Sequence, residues 1–470
     1  MSEPKKVDRR KFIYAGLGAV ALIAIGAAAY VAMNPPVVTQ TVTTATTATT
    51  TVPTTVVTTV TQPTTTVITT KPPGARVVRV LHVSGPEADH IRACQADFEK
   101  STGITLSLEL APRNVVDERM YRELIEGLGA YDVVMGWGGS MYVTLMATEG
   151  YIPIDKFLSA KELEPFYAKD RYTWKGHVVG IPQYHNWNML FYRKDLLEDP
   201  KEKAAFKAKY GRELTVPKTF KELYEVAEFF HRPPEMYGYL ITGVNWSWHC
   251  DNYYFLFGMG GNFGNIETGE LTLNTPQMAK AWDYMLKMIK FAPPGWEAMS
   301  FFDGDNLMQQ GKLFMYNNWF YIWKTLLAKM GPEKVGMAPP PGDVQPGASL
   351  SGWLATIPKS APNPELGAEF IKWIGSYEYQ KRHVLEIGNM PARKDVFDDP
   401  DVKAKVVGLE MFKEVLPYAM SPICTWYPEL RDGMYEAFFK VVKGEMSIES
   451  ALKWLQEEKF KGRRAIEVKR

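Results

Sequence analysis

The chain of 470 residues is poor in cysteine and has nearly equal numbers of basic and acidic residues. Each of these features argues against a class of function. Its three cysteines, Cys94, Cys250 and Cys424, are far apart and form no CxxC pair, which argues against a cysteine metal cluster. A disulfide between Cys250 and Cys424 and three separately buried thiols are both left open. With 54 basic and 53 acidic residues, the composition also argues against a nucleic-acid-binding surface.

Signatures of catalysis are missing as well. The seven histidines show no HExxH motif or other paired spacing. The sequence contains no nucleophile elbow, no phosphate-binding loop and no dinucleotide fingerprint. We therefore expect no metal, no cofactor and no catalytic residue.

The first 75 residues differ in composition from the rest. Residues 1–11 are basic, residues 12–33 carry no charge over a length that can span a bilayer, and residues 34–75 are rich in threonine, with 19 in residues 37–70. This pattern predicts a cytoplasmic segment, a signal or transmembrane anchor, and a disordered stalk that holds the remaining residues, 76–470, outside the cell membrane. Cleavage of the apolar segment is the alternative.

From residue 76 onward, strand and helix patterns alternate. The runs "RVVRVLHV" and "ITLSLEL" predict strands, and "DERMYRELIEGLG" predicts an amphipathic helix. In "PKTFKELYEVAEFF", Thr219 and Glu222 form a capping-box pattern at a helix start. This order predicts a parallel, doubly wound sheet, in which ligands bind beyond the carboxyl ends of the strands.

Two longer segments each predict one helix. They are "HIRACQADFEKSTG" and "NPELGAEFIKWIGSYEYQKRHV".

Loops at the predicted strand ends carry polar and aromatic residues. Ser84 and Glu87 follow the first strand, and "WGGS", which includes Trp137, Gly138 and Ser140, follows the third. The segment "YHNWN" (184–188) stands directly before the strand-like residues 189–192. A core strand does not need such residues, but a ligand site does.

Several phrases of the sequence, in this order, resemble the extracellular solute-binding proteins of ABC importers for sugars, the maltose-binding type. The resemblance covers roughly residues 77–460 and is carried by "DVVMGWGGSMYVTLMATEGYIPIDKF", "GHVVGIPQYHNWNMLFYRKDLL", "VPKTFKELYEVA", "LMQQGKLFMYNNWF", "SGWLATIPKSAPNPELGAEFIKWI" and "GNMPARKDV". The charge-free segment and the threonine-rich stalk are similar to those of archaeal members, which hold the binder on a tether.

The resemblance implies a two-lobe α/β fold of the periplasmic-binding-protein type, with hinge strands and a ligand cleft. It places the first lobe at about residues 76–187 and 355–397 and the second at about 190–350 and 400–460. Residues 189–192 would form a hinge strand, and Ser351 to Trp353 the second crossing.

A sugar site needs aromatic faces for apolar C–H groups and fixed polar groups for hydroxyls. On these grounds and by resemblance we expect a set of ligand-binding residues: Ser84, Glu87, Trp137, Gly138, Ser140, Tyr184, Asn186, Trp187, Trp248, Asp251, Asn318, Trp319, Trp353, Arg393 and Trp426. Two expectations have specific rivals. Trp248 lies in "GVNWSWHCDNYYF", whose alternation also fits a packed strand, and Arg393 could instead pair with Asp395.

The sequence thus predicts a non-enzymatic, extracellular substrate-binding subunit of an ABC transporter. It would bind a sugar or oligosaccharide and deliver it to a permease driven by a separate ATPase, since this chain has no nucleotide motif. The alternatives are a tethered glycoside hydrolase, an adhesion protein, or the same fold binding a peptide, a polyamine or iron, with Tyr253 and Tyr254 as the candidate iron ligands.

Overall fold

Two β-sheets, each covered by helices, form the two lobes of the fold in a computed structural model that describes residues 76–137, 146–406 and 408–467. The strands are β1 (Val77–Val83), β2 (Thr105–Ala111), β3 (Val133–Trp137), β4 (Tyr151–Ile152), β5 (Thr173–Trp174), β6 (His177–Val178), β7 (Ile181–Pro182), β8 (Asn186–Arg193), β9 (Tyr237–Leu240), β10 (Leu313–Trp319), β11 (Val335–Ala338), β12 (Leu350–Ser351) and β13 (Trp353–Pro358).

The α-helices of the described residues connect and cover these strands. They are α1 (Pro86–Ala93), α2 (Gln95–Thr102), α3 (Arg113–Glu126), α4 (Ala160–Leu163), α5 (Lys194–Glu198), α6 (Pro200–Tyr210), α7 (Phe220–Phe230), α8 (Asn245–Gly258), α9 (Pro276–Ile289), α10 (Phe301–Gln309), α11 (Trp323–Met330), α12 (Pro364–Ile374), α13 (Tyr377–Ile387), α14 (Lys394–Phe397), α15 (Pro400–Lys405), α16 (Leu409–Val415), α17 (Tyr427–Val442) and α18 (Ile448–Trp454).

The first sheet has the order β2-β1-β3-β13-β4, with β7 also paired to β13. β1 is parallel to β2 and β3, as the strand–helix alternation predicts. The prediction of a wholly parallel sheet is wrong, however, because β13 returns from the second lobe and runs antiparallel to β3. The first sheet is therefore mixed.

The second sheet has the order β11-β8-β10-β9, and β12 pairs with β8. β8 is antiparallel to β10, β11 and β12, while β10 and β9 are parallel. Every residue of β10 is buried, because helices cover both faces of this sheet.

The chain passes between the lobes at two neighbouring places. β7 belongs to the first sheet and β8 to the second, so the outward crossing lies at residues 183–185. On the return, β12 belongs to the second sheet and β13 to the first, so the crossing is Gly352. The predicted hinge strand, residues 189–192, lies inside β8; all four of its residues pair with β10 and three of them also pair with β11 in the second sheet.

Local sequence signals account for several helix ends. The predicted capping box at α7 is confirmed, since the Glu222 amide donates to Thr219 Oγ1 at 3.2 Å and the Thr219 amide donates to Glu222 Oε2 at 3.3 Å. Two long helices predicted as single are each divided. Cys94 separates α1 from α2, and Gly375 with Ser376 separates α12 from α13, where the Ser376 hydroxyl caps the second helix.

The three cysteines are free thiols, so the disulfide considered between Cys250 and Cys424 is not formed. The predicted basic segment, anchor and stalk (1–11, 12–33 and 34–75) lie outside the described residues. Among the residues that are described, no helix combines the length and the apolar character that crossing a bilayer requires.

Candidate functional site

Three tryptophans meet at the boundary between the lobes. Trp137 is the last residue of β3 and Trp319 the last residue of β10, so each stands at the carboxyl end of its strand. Their ring centroids are 6.2 Å apart and the rings are edge to face at 71°. Trp353 begins β13 and pairs with Trp137 in the first sheet. The fold thus brings together indoles from both lobes, as expected if they line one cleft.

A guanidinium that the sequence did not indicate covers the Trp137 ring. The Arg113 guanidinium carbon lies 3.9 Å from the ring centroid, a cation–π distance, and its Nε is 3.5 Å from Asp117 Oδ2. Burial lowers the pKa of His249 to about 3, and the positive charges of Arg431 and Arg113 add to this effect. Arg113 of the first lobe therefore lies close to α8 of the second.

Asp117 adds an unused acceptor next to Arg113. Its Oδ1 atom is buried and has no hydrogen-bond partner among the described residues. Burial raises the pKa of this carboxyl group, and the neighbouring Arg113 acts in the opposite direction. Because an unpaired buried acceptor is costly, Asp117 is a candidate partner for a ligand hydroxyl.

A buried carboxylate holds the segment that carries Trp319. Asp305 accepts hydrogen bonds from Asn318 Nδ2 at 2.6 Å, the Tyr316 hydroxyl at 2.7 Å and the Tyr321 hydroxyl at 2.5 Å. Asn318 Oδ1 accepts the Trp319 backbone N–H at 2.7 Å. Burial raises the pKa of Asp305, and its donors oppose that rise. Asn318, a predicted ligand residue, thus positions Trp319, and Asp305 is a site residue that the sequence did not single out.

Asp251, another predicted residue, lies beneath Trp319 in the second lobe. Its Oδ2 accepts from the backbone N–H and the hydroxyl of Thr242, at 2.8 and 2.7 Å. Burial raises the pKa of Asp251 to about 7, against the effect of these two bonds. A small cavity of about 10 Å³ lies here, lined by Asn188, Thr242, Ser247, Cys250, Asp251, Phe301, Asn317, Asn318 and Trp319. It has room for about one water molecule.

The predicted residues of the first lobe gather near the hinge. The Tyr184 hydroxyl donates to Glu87 Oε1 at 3.2 Å, and Asn389 Nδ2 donates to the same oxygen at 3.3 Å. Ser84 is exposed at the end of β1, where its amide bonds to the Ala111 carbonyl at 3.0 Å. Glu87 and Tyr184 therefore come together, as a ligand contact would require.

Two predicted tryptophans are core residues in this structure. Trp187 is fully buried and packs on Phe412 with ring centroids 4.8 Å apart. Trp248 is also fully buried and packs on Tyr435 and Phe438 of α17. Its segment is the helix α8 and not a strand, so the alternating pattern was misleading. Both side chains are placed to stabilise the interior of the protein.

The remaining predicted residues have mixed surroundings. Arg393 pairs with Asp395 at 2.6 Å and donates to the Gly375 carbonyl at 2.9 Å, so its guanidinium is held by partners of the first lobe. Asn186 is half-buried, and its Oδ1 lacks a hydrogen-bond partner among the described residues. Gly138 and Ser140 lie outside the described residues.

Trp426 lines a separate groove of about 310 Å³, together with Tyr121 of α3 and Arg463. Its Nε1 donates to the Arg464 carbonyl at 2.7 Å, and the Arg463 guanidinium carbon lies 3.9 Å from its ring centroid. The indole face is therefore already covered by a cation.

These features provide ring faces and hydrogen-bonding groups on both sides of a cleft. Asp251 and Asp305 are committed to donors of their own lobe, an arrangement that holds a loop in place. Such a site is suited to binding a small polar molecule that also has apolar faces.

Comparison with known proteins agrees with this geometry. The family model of the bacterial extracellular solute-binding proteins matches residues 85–381. A probable ABC transporter-binding protein of Deinococcus radiodurans is 24% identical over 393 residues, which are 78% of this chain and 89% of that protein. A maltotriose-binding protein of Pyrococcus abyssi is 24% identical over 332 residues, 66% of each chain.

Solved structures show the same fold. The maltose-bound MalE3 of T. maritima superposes with a TM-score of 0.67 at 23% identity, covering 81% of this chain and 98% of that chain. A solute-binding protein of Thermotoga lettingae bound to α-D-tagatose gives a TM-score of 0.66 at 23% identity, covering 82% and 98%. From the extent of the family match, this chain belongs to the bacterial extracellular solute-binding proteins.

Proposed function

We propose that this chain is the extracellular substrate-binding subunit of an ABC importer and that it binds a sugar or oligosaccharide between its lobes. The observation that carries the proposal is the contact of Trp137 and Trp319, which come from opposite lobes and lie 6.2 Å apart. Indole rings offer flat apolar faces of the kind that sugar C–H groups pack against. The maltotriose-binding relative supports a saccharide as ligand.

The binding roles follow from the placement of each side chain. Trp319 and Trp353 supply stacking faces, as does Trp137, of which Arg113 covers one face. Glu87, Tyr184, Ser84 and Asp117 supply hydrogen-bonding groups from the first lobe. Asn318 holds the Trp319 backbone, and Asp251 lines the small cavity next to Trp319. Trp187, Trp248 and Arg393 stabilise the fold and are left out of the proposed site, while Asn186, Trp426, Gly138 and Ser140 stay predictions.

Ligand binding couples to movement of the lobes. A sugar that touches both Trp137 and Trp319 stabilises the closed form over the open form, because only the closed form makes both contacts. The closed protein then docks on a permease, and separate ATPase subunits drive transport. The predicted anchor at residues 12–33 would keep the ligand-bound protein near that permease. The predicted lobe boundaries are part of the same proposal.

Two alternatives, iron as the ligand and hydrolysis of a saccharide as the activity, have less support. Tyr253 and Tyr254, the candidate iron ligands, are both fully buried in α8 and pack against different partners, Tyr427 and Phe220 respectively. The family and the similar structures are binding proteins, which favours binding without turnover.

A thermal-shift panel on the full-length chain tests the proposal. Mono- and oligosaccharides that bind should raise the melting temperature, because ligand binding stabilises the folded state. Trp137→Ala and Trp319→Ala should remove that rise while the protein stays folded. Trp454→Ala is the matched control, since this indole lies between Lys440 and Lys459, outside the site.

Two results would contradict the proposal. One is a panel in which no saccharide shifts the melting temperature or the Trp137 variant responds like the parent protein. The other is the appearance of new reducing ends during incubation with an oligosaccharide, which would show hydrolysis in place of binding.

A further inference from the structure

Two arginines, one from each lobe, act on the same part of α8. Arg113 begins α3 of the first lobe, and Arg431 lies in α17 of the second. Burial lowers the pKa of His249, and the positive charges of Arg431 and Arg113 lower it further. Burial raises the pKa of the neighbouring Cys250 thiol, and the same two charges oppose that rise. Arg113 and Arg431 therefore converge on α8 at the boundary between the lobes.

Contacts between α8 and α17 fix the place of Arg431. The ring centroids of His249 and Tyr427 are 6.1 Å apart, and Arg431 follows Tyr427 by one helical turn. Asn245, one turn before His249 on α8, donates from Nδ2 to Asp432 Oδ1 at 2.9 Å. Arg431 thus lies on the side of α17 that faces His249.

Both guanidinium groups are held in place and still have donors to offer. The Arg113 guanidinium carbon lies 3.9 Å from the Trp137 ring centroid, and its Nε is 3.5 Å from Asp117 Oδ2. Arg431 binds Asp432 Oδ1 through Nε at 3.0 Å and Nη2 at 2.9 Å. A guanidinium group has five N–H donors, so these contacts leave several on each arginine for a bound molecule.

Buried polar atoms without partners belong to the same cluster of side chains. His249 is 8% exposed, and its Nδ1 makes no hydrogen bond of normal geometry among the described residues. Asp117 Oδ1 and Asn245 Oδ1 also lack a partner in the described part of the chain. Each unpartnered buried atom costs about 1–3 kcal/mol of free energy. The cluster therefore suits a molecule that brings both a negative charge and hydroxyl groups.

We propose that the ligand is an acidic saccharide whose carboxylate binds to Arg113 and Arg431 beside His249. This inference rests on the proposed function and specifies its substrate class. Guanidinium groups bind carboxylates through charge-assisted hydrogen bonds that are often bidentate. The hydroxyls of the same sugar donate to Asp117 Oδ1. Because the two arginines come from opposite lobes, a carboxylate that binds both favours the closed form.

A carboxylate suits this position better than a phosphate. Asp117 and Asp432 each stand beside one of the two arginines and offset part of its charge. The offset is incomplete, because the Asp432 side chain is 57% exposed to water and burial raises the pKa of Asp117. One negative charge balances what is left, whereas a phosphate monoester carries close to two.

Matched pairs of acidic and neutral saccharides test the inference by calorimetric titration of the full-length chain. The pairs are glucuronate with glucose, galacturonate with galactose, and trigalacturonate with maltotriose, and glucose 6-phosphate is the phosphate probe. The acidic member of at least one pair should bind about tenfold tighter or more than its neutral counterpart. This difference should shrink as sodium chloride is added, because salt screens the charges.

Variants of the two arginines locate the effect. Arg113→Gln and Arg431→Gln each remove one positive charge, and each should weaken binding of the acidic saccharide by about tenfold. Arg431→Gln does not touch Trp137, so it should leave the affinity for the neutral saccharide unchanged. Lys207→Gln is the matched control: it removes one positive charge from an exposed pair with Glu213 and should change neither affinity. Melting temperatures show that each variant is folded.

The outcomes distinguish this inference from the proposed function. If neutral saccharides bind as tightly as their acidic counterparts, or if both arginine variants keep the preference, the inference is wrong and the proposed function stands. Tighter binding of glucose 6-phosphate than of glucuronate would also contradict the inference. If neither acidic nor neutral saccharides bind, the inference and the proposed function are both wrong.

Discussion

Gly352 lies directly against the carbonyl oxygen of Tyr184, so that the two crossings between the lobes touch. A Cβ atom at residue 352 would be 2.1 Å from that oxygen. The backbone φ of Gly352 is +127°, a value that residues with a side chain rarely adopt. Only glycine allows the return crossing to pass this close to the outward one.

We expect Gly352→Ala to lower the free energy of unfolding by about 2 kcal/mol or more, because it adds a clash to backbone strain. Saccharide binding should weaken as well, since Trp353 follows directly. Chemical denaturation measures the first effect and calorimetry the second. Gly444→Ala is the control: its φ is +73°, but no atom lies within 4 Å of the added Cβ. If both variants lose equal stability, close packing at the hinge is not the cause.

Asp305→Ala should destabilise the protein by about 2–3 kcal/mol, because it leaves buried donors of Tyr316 and Asn318 without a partner. The same change should weaken saccharide binding, since Asn318 no longer holds Trp319 in place. Denaturation and ligand titration test the two effects. Asp283→Ala, which breaks only an exposed pair with Lys287, should alter neither. If the Asp305→Ala protein binds saccharide with unchanged affinity, Asp305 does not contribute to the binding site.

Stability should fall as the pH is lowered, owing to buried histidines. Burial lowers the pKa of His82 and of His185 to about 4 from 6.5. Between these values the unfolded chain binds protons that the folded protein excludes, so each histidine contributes a slope of up to about 1.4 kcal/mol per pH unit. Melting temperatures from pH 7 to pH 4.5 should decline accordingly. In His185→Gln the decline should be shallower, and an identical slope would show that His185 does not contribute.

Asp251 should contribute a pH dependence of stability opposite in sign to that of the buried histidines. Burial raises the pKa of Asp251 to about 7 from 3.8, so between these values the folded protein holds a proton that the unfolded chain has lost. Its contribution to stability is therefore full below about pH 4 and decreases as the pH rises towards 7. Asp251→Asn removes this dependence, so the melting temperature of the variant relative to the parent should rise from pH 5 to pH 8. A constant difference would contradict the raised pKa.

Much of the local structure could be predicted. The capping pair Thr219 and Glu222 and the run that forms β1 depend on neighbours a few residues away, and the sequence indicated both of them. The division of two long helices at Cys94 and at Gly375 was missed, because packing against the sheet decides whether a helix continues past such residues.

The candidate site could be predicted only in part. Trp137 was indicated by its glycine-rich loop at a strand end and Trp319 by the family resemblance, and the structure brings them into contact. Arg113, Asp117 and Asp305 were missed, because an arginine or aspartate near a helix start resembles many surface residues.

By itself, the sequence determined the order of strands and helices, the capping signals and the family resemblance, since these depend on composition and on spacing over short distances. Only the tertiary structure decided which indoles face the cleft. Trp187 lies in β8 and Trp319 in β10, and the two look alike in sequence, yet Phe412 covers the first while the second meets Trp137. The surroundings of a side chain are set by residues distant in the chain, and folding alone brings those residues together.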